Sequence, residues 1–487
     1  MDVLLVNPRF NGASEVSPLS LECLAAPLLA DGLSVSILDM DIGPETEAQT
    51  LLMDALERGK PRIMGVTSLS NSFSSALAAC RTAKKIHPPI RTVLGGIHAT
   101  VLHEEILREY KEEVDVVVRG EGEKALREIM RSNFAMASLE IISGISYRRD
   151  HRILCNPDRP LLKDLGSMPP PAFQLLDNRG YRTRSLSSSR GCYHNCRFCS
   201  IQSLYQGIVR QEPLEKILTG IRALRSAGAK RIMFTDDNFT FHPRRVREIC
   251  GAMIQEGLTQ GVEFYVQGRI DDFCRQPVMA QWLSEAGFKA VYVGAESGAQ
   301  EILDRYGKGM VTGDLRRGVS YCIEQNLMPV VSFILFGPWD TVETMLKTIR
   351  LAKELFENGA EIAYTECLIP FPGTPVKEEL EKDGKWRESG GVYYFESYTG
   401  MDMDRVLTSC DLSRSMARLL YANDPLFSVR RVYYEFSLLE FFIQGQRPPA
   451  YDSWLSLLPT AGRDDAIEAN RRQIESAMRD LLSITYQ

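Results

Sequence analysis

The chain has 487 residues, more than one core usually holds, so two or three domains are expected. Its composition, 44% apolar and 25% charged with a net charge of −6, is that of a globular protein with no basic face for nucleic acid. "MDVLLVNPRF" lacks a secretory signal's basic start, and Glu22, Pro27 and Asp31 break "SLECLAAPLLADG" too early for a membrane span, so a cytoplasmic protein is expected.

Along the chain, "DVLLVN", "SVSILDM", "RIMGVTSL", "RTVLGG" and "VDVVVRG" read as strands separated by helical stretches. This alternation predicts a doubly wound, Rossmann-like parallel sheet over residues 1–147, with ligands met at the carboxyl ends of its strands. The proline-rich residues 148–180 read as a linker. A second series follows over 181–375: "TRSLSSS", "RIMFTDD", "VEFYVQG", "AVYVGAES", "PVVSFILFG" and "AYTECLIP". Six such strands predict a partial (β/α)6 barrel whose chemistry sits at the carboxyl strand ends. The rhythm stops near 376, and residues 376–487 read as mostly helical. The fold class is therefore α/β. The last stretch, 401–487, has ten Arg, no Lys and twelve Asp or Glu, which is no nucleic-acid appendage.

Just after the first barrel strand, "GCYHNCRFC" sets Cys192, Cys196 and Cys199 in a C-x-x-x-C-x-x-C spacing. Structural zinc takes four ligands, and the loop offers three thiols and a constrained His194. Three thiolates instead suit three irons of a 4Fe-4S cluster whose fourth iron stays open. Zinc remains the alternative.

The loop resembles the signature of the radical S-adenosylmethionine (SAM) superfamily. "FTDDNFT", "GAESGAQEILDRYGKG", "FILFGPWDTVET" and "PFPGTP" are similar to later barrel segments of that family. The resemblance implies a cluster-bound SAM cleaved by one electron to a deoxyadenosyl radical, with an external reductant such as flavodoxin or ferredoxin. It also implies Asp236 and Asp237 at the SAM ammonium, Arg269 at its carboxylate, and Glu296 and Ser297 at its ribose or methionine end. Phe198 is either an adenine platform or loop packing.

Residues 1–147 resemble the cobalamin-binding domain of one radical SAM class, through "SPLSLECLAAPLLADGLSVSILDMD", "GVTSLS", "VLGGIHAT" and "VVVRGEGE". The resemblance implies cobalamin contacts at Thr67, Leu69, Gly95, Gly96, Gly120, Glu121, Gly122 and Glu123. His98 is expected to touch the nucleotide tail or hold a turn. The Asp-x-His-x-x-Gly motif expected after the first strand is missing, since that loop reads "NPRFNGASEVSP" and no histidine precedes His87. Cobalamin without a histidine on its lower face is expected, or else a sheet that only packs on the barrel.

The expected activity is cobalamin-dependent methylation of a carbon on a small-molecule substrate. A radical cyclase or rearranging enzyme has the same architecture. A methylthiotransferase would need a second cluster, for which Cys23, Cys80 and Cys155 are too scattered. A non-catalytic cobalamin or SAM sensor is the alternative outside enzymes.

Overall fold

Val3, Leu4, Leu5 and Val6 are all buried, so the first strand has no polar face. Such a run belongs in the middle of a parallel sheet covered on both sides. The computed structural model places it there, and describes residues 1–10, 16–177, 180–389, 392–395 and 398. Strands β1 (Val3–Asn7), β2 (Val35–Asp39), β3 (Ile63–Thr67), β4 (Arg91–Gly95) and β5 (Val116–Val118) pair in parallel in the order β2-β1-β3-β4-β5. Side chains alternate across it. Leu4 and Val6 pack with Leu52, Leu56 and Leu77 from helices Glu45–Gly59 and Phe73–Ile86. Val3 and Leu5 pack with Leu21, Ala25, Leu126 and Ile129 from helices Leu19–Ala30 and Gly122–Ser132. The strand order reverses between β1 and β3, where such a sheet opens a crevice at its carboxyl edge.

The sheet does not stop at residue 147. β6 (Ile145–Arg149) and β7 (Arg152–Cys155) extend it as an antiparallel hairpin beside β5, so the segment expected to open the linker is a strand. Its turn lacks the Asn-Gly or Asp-Gly signal; Asp150 supplies the positive φ, 54°, that a two-residue connection needs.

The second sheet is an open arc of six parallel strands. β8 (Arg184–Leu186) pairs with β11 (Arg231–Phe234), followed by β12 (Glu263–Gly268), β13 (Phe288–Glu296), β14 (Met328–Leu335) and β15 (Glu361–Cys367). A short antiparallel pair, β9 (Ser189–Arg190) and β10 (Arg210–Gln211), flanks the cysteine loop.

The amino-terminal module takes the outer edge of β8. Val16 bridges Thr183 in parallel, and Ser185 donates its N–H to Ser17 Oγ at 2.9 Å and its hydroxyl to Ser17 O at 2.6 Å. Beside that seam Arg184 of β8 pairs with Glu22 of the first helix, both buried. Burial pushes the Glu22 carboxyl up, against the pull of Arg184.

After β15 come the helix Pro375–Lys382 and an antiparallel hairpin of Trp386–Ser389 with Val392–Phe395. The start of the region expected to be mostly helical is thus part hairpin. Residues 401–487 lie outside the described residues.

Candidate active site

The cysteine loop leaves β8 through three serines, Ser187, Ser188 and Ser189, and is tied down at several points. Asp236, buried after β11, accepts from Ser188 N at 2.9 Å, Ser188 Oγ at 2.6 Å and Ser189 Oγ at 2.6 Å. Asp237 accepts from Gly191 N at 2.8 Å. Gly191 has φ 94°, and a side chain there would stand 2.2 Å from Ile208 O, so only glycine turns the loop. Gln202 Nε2 donates to Cys192 O at 2.9 Å, and Arg197 N to Tyr306 O at 2.9 Å.

Cys192, Cys196 and Cys199 are half-buried, unbridged thiols. Among the described residues, they are not a trio with sulfurs within 4.8 Å of one another. Three thiolates on one tetrahedral zinc would sit about 3.8 Å apart, given Zn–S bonds of about 2.3 Å. The three sulfurs are not gathered at that spacing. Burial raises the Cys199 thiol to about 11 and also raises Cys192, so a metal bound there would displace their protons.

Arg269 Nη1 points at Cys196 Sγ across 4.0 Å, while its other nitrogens donate to Asp271 Oδ1 at 2.9 Å and Lys308 O at 2.7 Å. Glu296 ends β13 at φ 63°, beside a register shift, and its carboxylate takes Lys308 Nζ at 2.6 Å. Ser297 is buried; its hydroxyl is 3.0 Å from Thr348 Oγ1 and accepts from Ala299 N at 3.1 Å. Phe198 packs edge-on against Tyr306, with ring centres 5.2 Å apart.

Asp236 and Ser297 have hydrogen-bond partners inside the protein, Arg269 is held by Asp271 and the Lys308 carbonyl with one nitrogen toward Cys196, and Phe198 packs on Tyr306. Of the expected SAM contacts at the second strand end, Asp237 is the one that lines a cavity.

That cavity, about 330 Å³, is shared by both sheets. Thr67, Gly95, Gly96 and Gly120 reach it from the carboxyl ends of β3, β4 and β5, with Glu121, Gly122 and Glu123 beside them. Ser187, Ser189, Thr235 and Asp237 reach it from β8 and β11. Its depth is apolar, walled by Leu5, Leu21, Leu24, Val66, Val93, Val118 and Leu126 at the β1/β3 reversal. Gly96 has φ 92°, and a Cβ would stand 2.5 Å from Ser68 O. At Gly120, φ 72°, a Cβ would meet nothing within 4 Å, so the wall there is open. Small residues around an apolar slot fit a bulky corrin with a heteroaromatic tail.

Two expected cobalamin contacts lie elsewhere. Leu69 and His98 line a separate cavity of about 110 Å³ with Phe371 and Pro372 of the barrel exit. His98 is buried on Phe73, ring centres 4.2 Å apart, with Nδ1 3.0 Å from Ser70 Oγ. Burial lowers its pKa to about 4, so it is neutral. Glu121 and Glu123 act at the seam: Glu121 binds Arg190 at 3.0 Å and Arg210 at 2.8 Å, and Glu123 binds Arg190 at 2.6 Å. Sequence reasoning did not single out Ser188, Ser189, Arg190 or Arg210. The "SSSR" run before the cysteines was a readable sign of the first three, whereas Arg210 had none.

The comparisons agree with this geometry. A B12 binding domain model matches residues 10–130, and a Radical SAM superfamily model matches 186–352. An uncharacterized methyltransferase of Pyrococcus horikoshii, PH0819, is 29% identical over 399 residues, 78% of this chain and 83% of that protein. The anaerobic magnesium-protoporphyrin IX monomethyl ester cyclase of Rubrivivax gelatinosus is 26% identical over 415 residues, 82% of this chain and 72% of that one. The fold is that of OxsB, a cobalamin-dependent SAM radical enzyme solved with aqua-cobalamin and SAM bound (TM-score 0.72, 16% identity, 99% of this chain and 80% of that one). Helices of this chain's described residues include none long and apolar enough to cross a membrane. Both domain models match in the order in which the two sheets occur, so the chain carries a B12 binding domain followed by a radical SAM domain.

Proposed function

We propose that the protein is a cobalamin-dependent radical SAM methyltransferase acting on a carbon of a small molecule, fed electrons by an external flavodoxin- or ferredoxin-type reductant. The observation that carries this reading is the single cavity into which both sheets point the carboxyl ends of their strands. Cysteines 192, 196 and 199 would hold the cluster, and Gly95, Gly96 and Gly120 would line the corrin's approach. Bound there, the cofactors supply one-electron cleavage of SAM and a transferable methyl group. The protein's own part is positional. Asp236 fixes the serines ahead of the cysteines, Arg269 places a cation beside Cys196, and the Glu121, Glu123, Arg190 and Arg210 network holds the two modules in register. Asp237 lines the cavity with one oxygen held by Gly191 N, and its carboxylate suits a substrate or SAM ammonium.

Incubation with SAM, a strong reductant and an anaerobic small-molecule extract tests the reading. S-adenosylhomocysteine and deoxyadenosine should form in comparable amounts, and deuterium from the SAM methyl should enter the product. The similarity to the Rubrivivax cyclase supports a second reading, a radical cyclase. Deoxyadenosine formed with product, but without transfer of the methyl label, would decide for it.

A further inference from the structure

Three metal-binding side chains meet at the edge of the first sheet, and none of them lines the shared cavity. His103 opens the helix His103–Glu109, Glu104 follows it, and Cys155 ends β7. One ligand atom from each lies within 4.8 Å of the other two. His103 Nδ1 and Cys155 Sγ are 3.7 Å apart. A nitrogen and a sulfur on one tetrahedral zinc, with bonds of about 2.0 and 2.3 Å, stand about 3.5 Å apart. The pair is therefore already near the spacing that the metal imposes.

The surroundings admit an ion. Ser146, buried on β6, sets its hydroxyl 3.1 Å from the same Nδ1, a hydrogen bond that an ion at Nδ1 would have to replace. The nearby cation Arg119 is paired with Asp158 at 3.1 Å, which offsets its repulsion of an ion at the site. Glu104 and Cys155 are exposed, so the site opens to solvent. Glu104 makes only a loose 3.9 Å contact with exposed Arg108, easily exchanged for a metal. One thiolate, one imidazole and one carboxylate form a borderline-soft set, which selects zinc-class ions over calcium or magnesium.

We propose that His103, Glu104 and Cys155 bind one zinc-class divalent cation, with water in the fourth position. The ion adds a clip between the His103–Glu109 helix and the β6–β7 hairpin, which Arg148 of β6 already joins by donating to Leu107 O. This site is separate from the iron of the cysteine loop and independent of the reaction proposed above.

The test uses iron-loaded holoenzyme, dialysed anaerobically against buffered zinc chloride, with zinc and iron both measured by mass spectrometry. One saturable equivalent of zinc is expected. Cys155→Ser and His103→Ala should each weaken it by at least about tenfold, with iron content and cluster absorption unchanged. Cobalt(II) in place of zinc should give a thiolate-to-cobalt charge-transfer band that Cys155→Ser lacks. The absence of saturable zinc, or unweakened zinc in Cys155→Ser, would overturn the proposal. Cys155 is exposed at a strand end, so its serine variant keeps the fold and carries the test even if His103→Ala does not.

Discussion

Arg269 Nη1 stands 4.0 Å from the sulfur of Cys196, with the rest of its guanidinium fixed by Asp271 and the Lys308 carbonyl. A fixed cation beside a cluster ligand stabilises the reduced, more negative state. Arg269→Gln should therefore make the cluster's midpoint potential more negative without loss of iron. Asp271 keeps Arg275 as a partner in that variant. Redox titration followed by electron paramagnetic resonance measures the shift, and an unmoved midpoint would show that the guanidinium does not act on the cluster.

The second prediction concerns Gly96. Alanine at φ 92°, 2.5 Å from Ser68 O, should cost about 1–3 kcal/mol of stability and lower cobalamin retention severalfold. Gly120→Ala is the control, because its φ of 72° carries similar strain with nothing within 4 Å of the new methyl. Corrin absorbance after gel filtration compares them. Equal loss in both would assign the effect to backbone strain rather than to crowding at Ser68.

Glu22 and Arg184 test the seam between the modules. Replacing Arg184 by Met leaves a buried carboxylate without its cation, at a cost of about 3–5 kcal/mol. Replacing both residues by Met should recover much of that, because no buried charge is then left unpaired. Thermal denaturation distinguishes the cases. A double variant no more stable than Arg184→Met would place the loss in the bonds from Arg184 to the carbonyls of Phe173 and Leu176.

His98 gives a pH dependence with a definite sign. Its pKa falls from 6.5 to about 4 on burial, so between those values the unfolded chain binds the extra proton. The stability it contributes is fully present above pH 6.5 and is lost as pH falls toward 4, by about 2 kcal/mol at pH 5. His98→Phe should flatten the fall in melting temperature between pH 7 and pH 5. An equal fall in both proteins would mean that other groups cause it.

All six histidines are in the described residues and none lines the shared cavity. Bound cobalamin, reduced to its cobalt(II) form, should accordingly give a paramagnetic resonance spectrum without nitrogen splitting from an axial ligand. A clear nitrogen pattern would contradict this.

The sequence by itself determined the two series of strands, because runs such as Val3–Val6 must be buried on both faces wherever they lie. It also determined the cluster loop, since three cysteines within eight residues need no tertiary context to be near one another. Only the tertiary structure decided what long-range partners do. Asp236 was expected at a cofactor, and that its oxygens accept from Ser188 and Ser189, 48 and 47 residues away in the chain, was not legible. Glu121 and Glu123 line the shared cavity, and that Arg190 and Arg210 of the other module pair with them was not legible either. The β7 strand and the meeting of His103 with Cys155 were likewise hidden, the latter across 52 residues. A side chain's type shows what it can bind, but which partner reaches it first is fixed by packing between elements far apart in sequence.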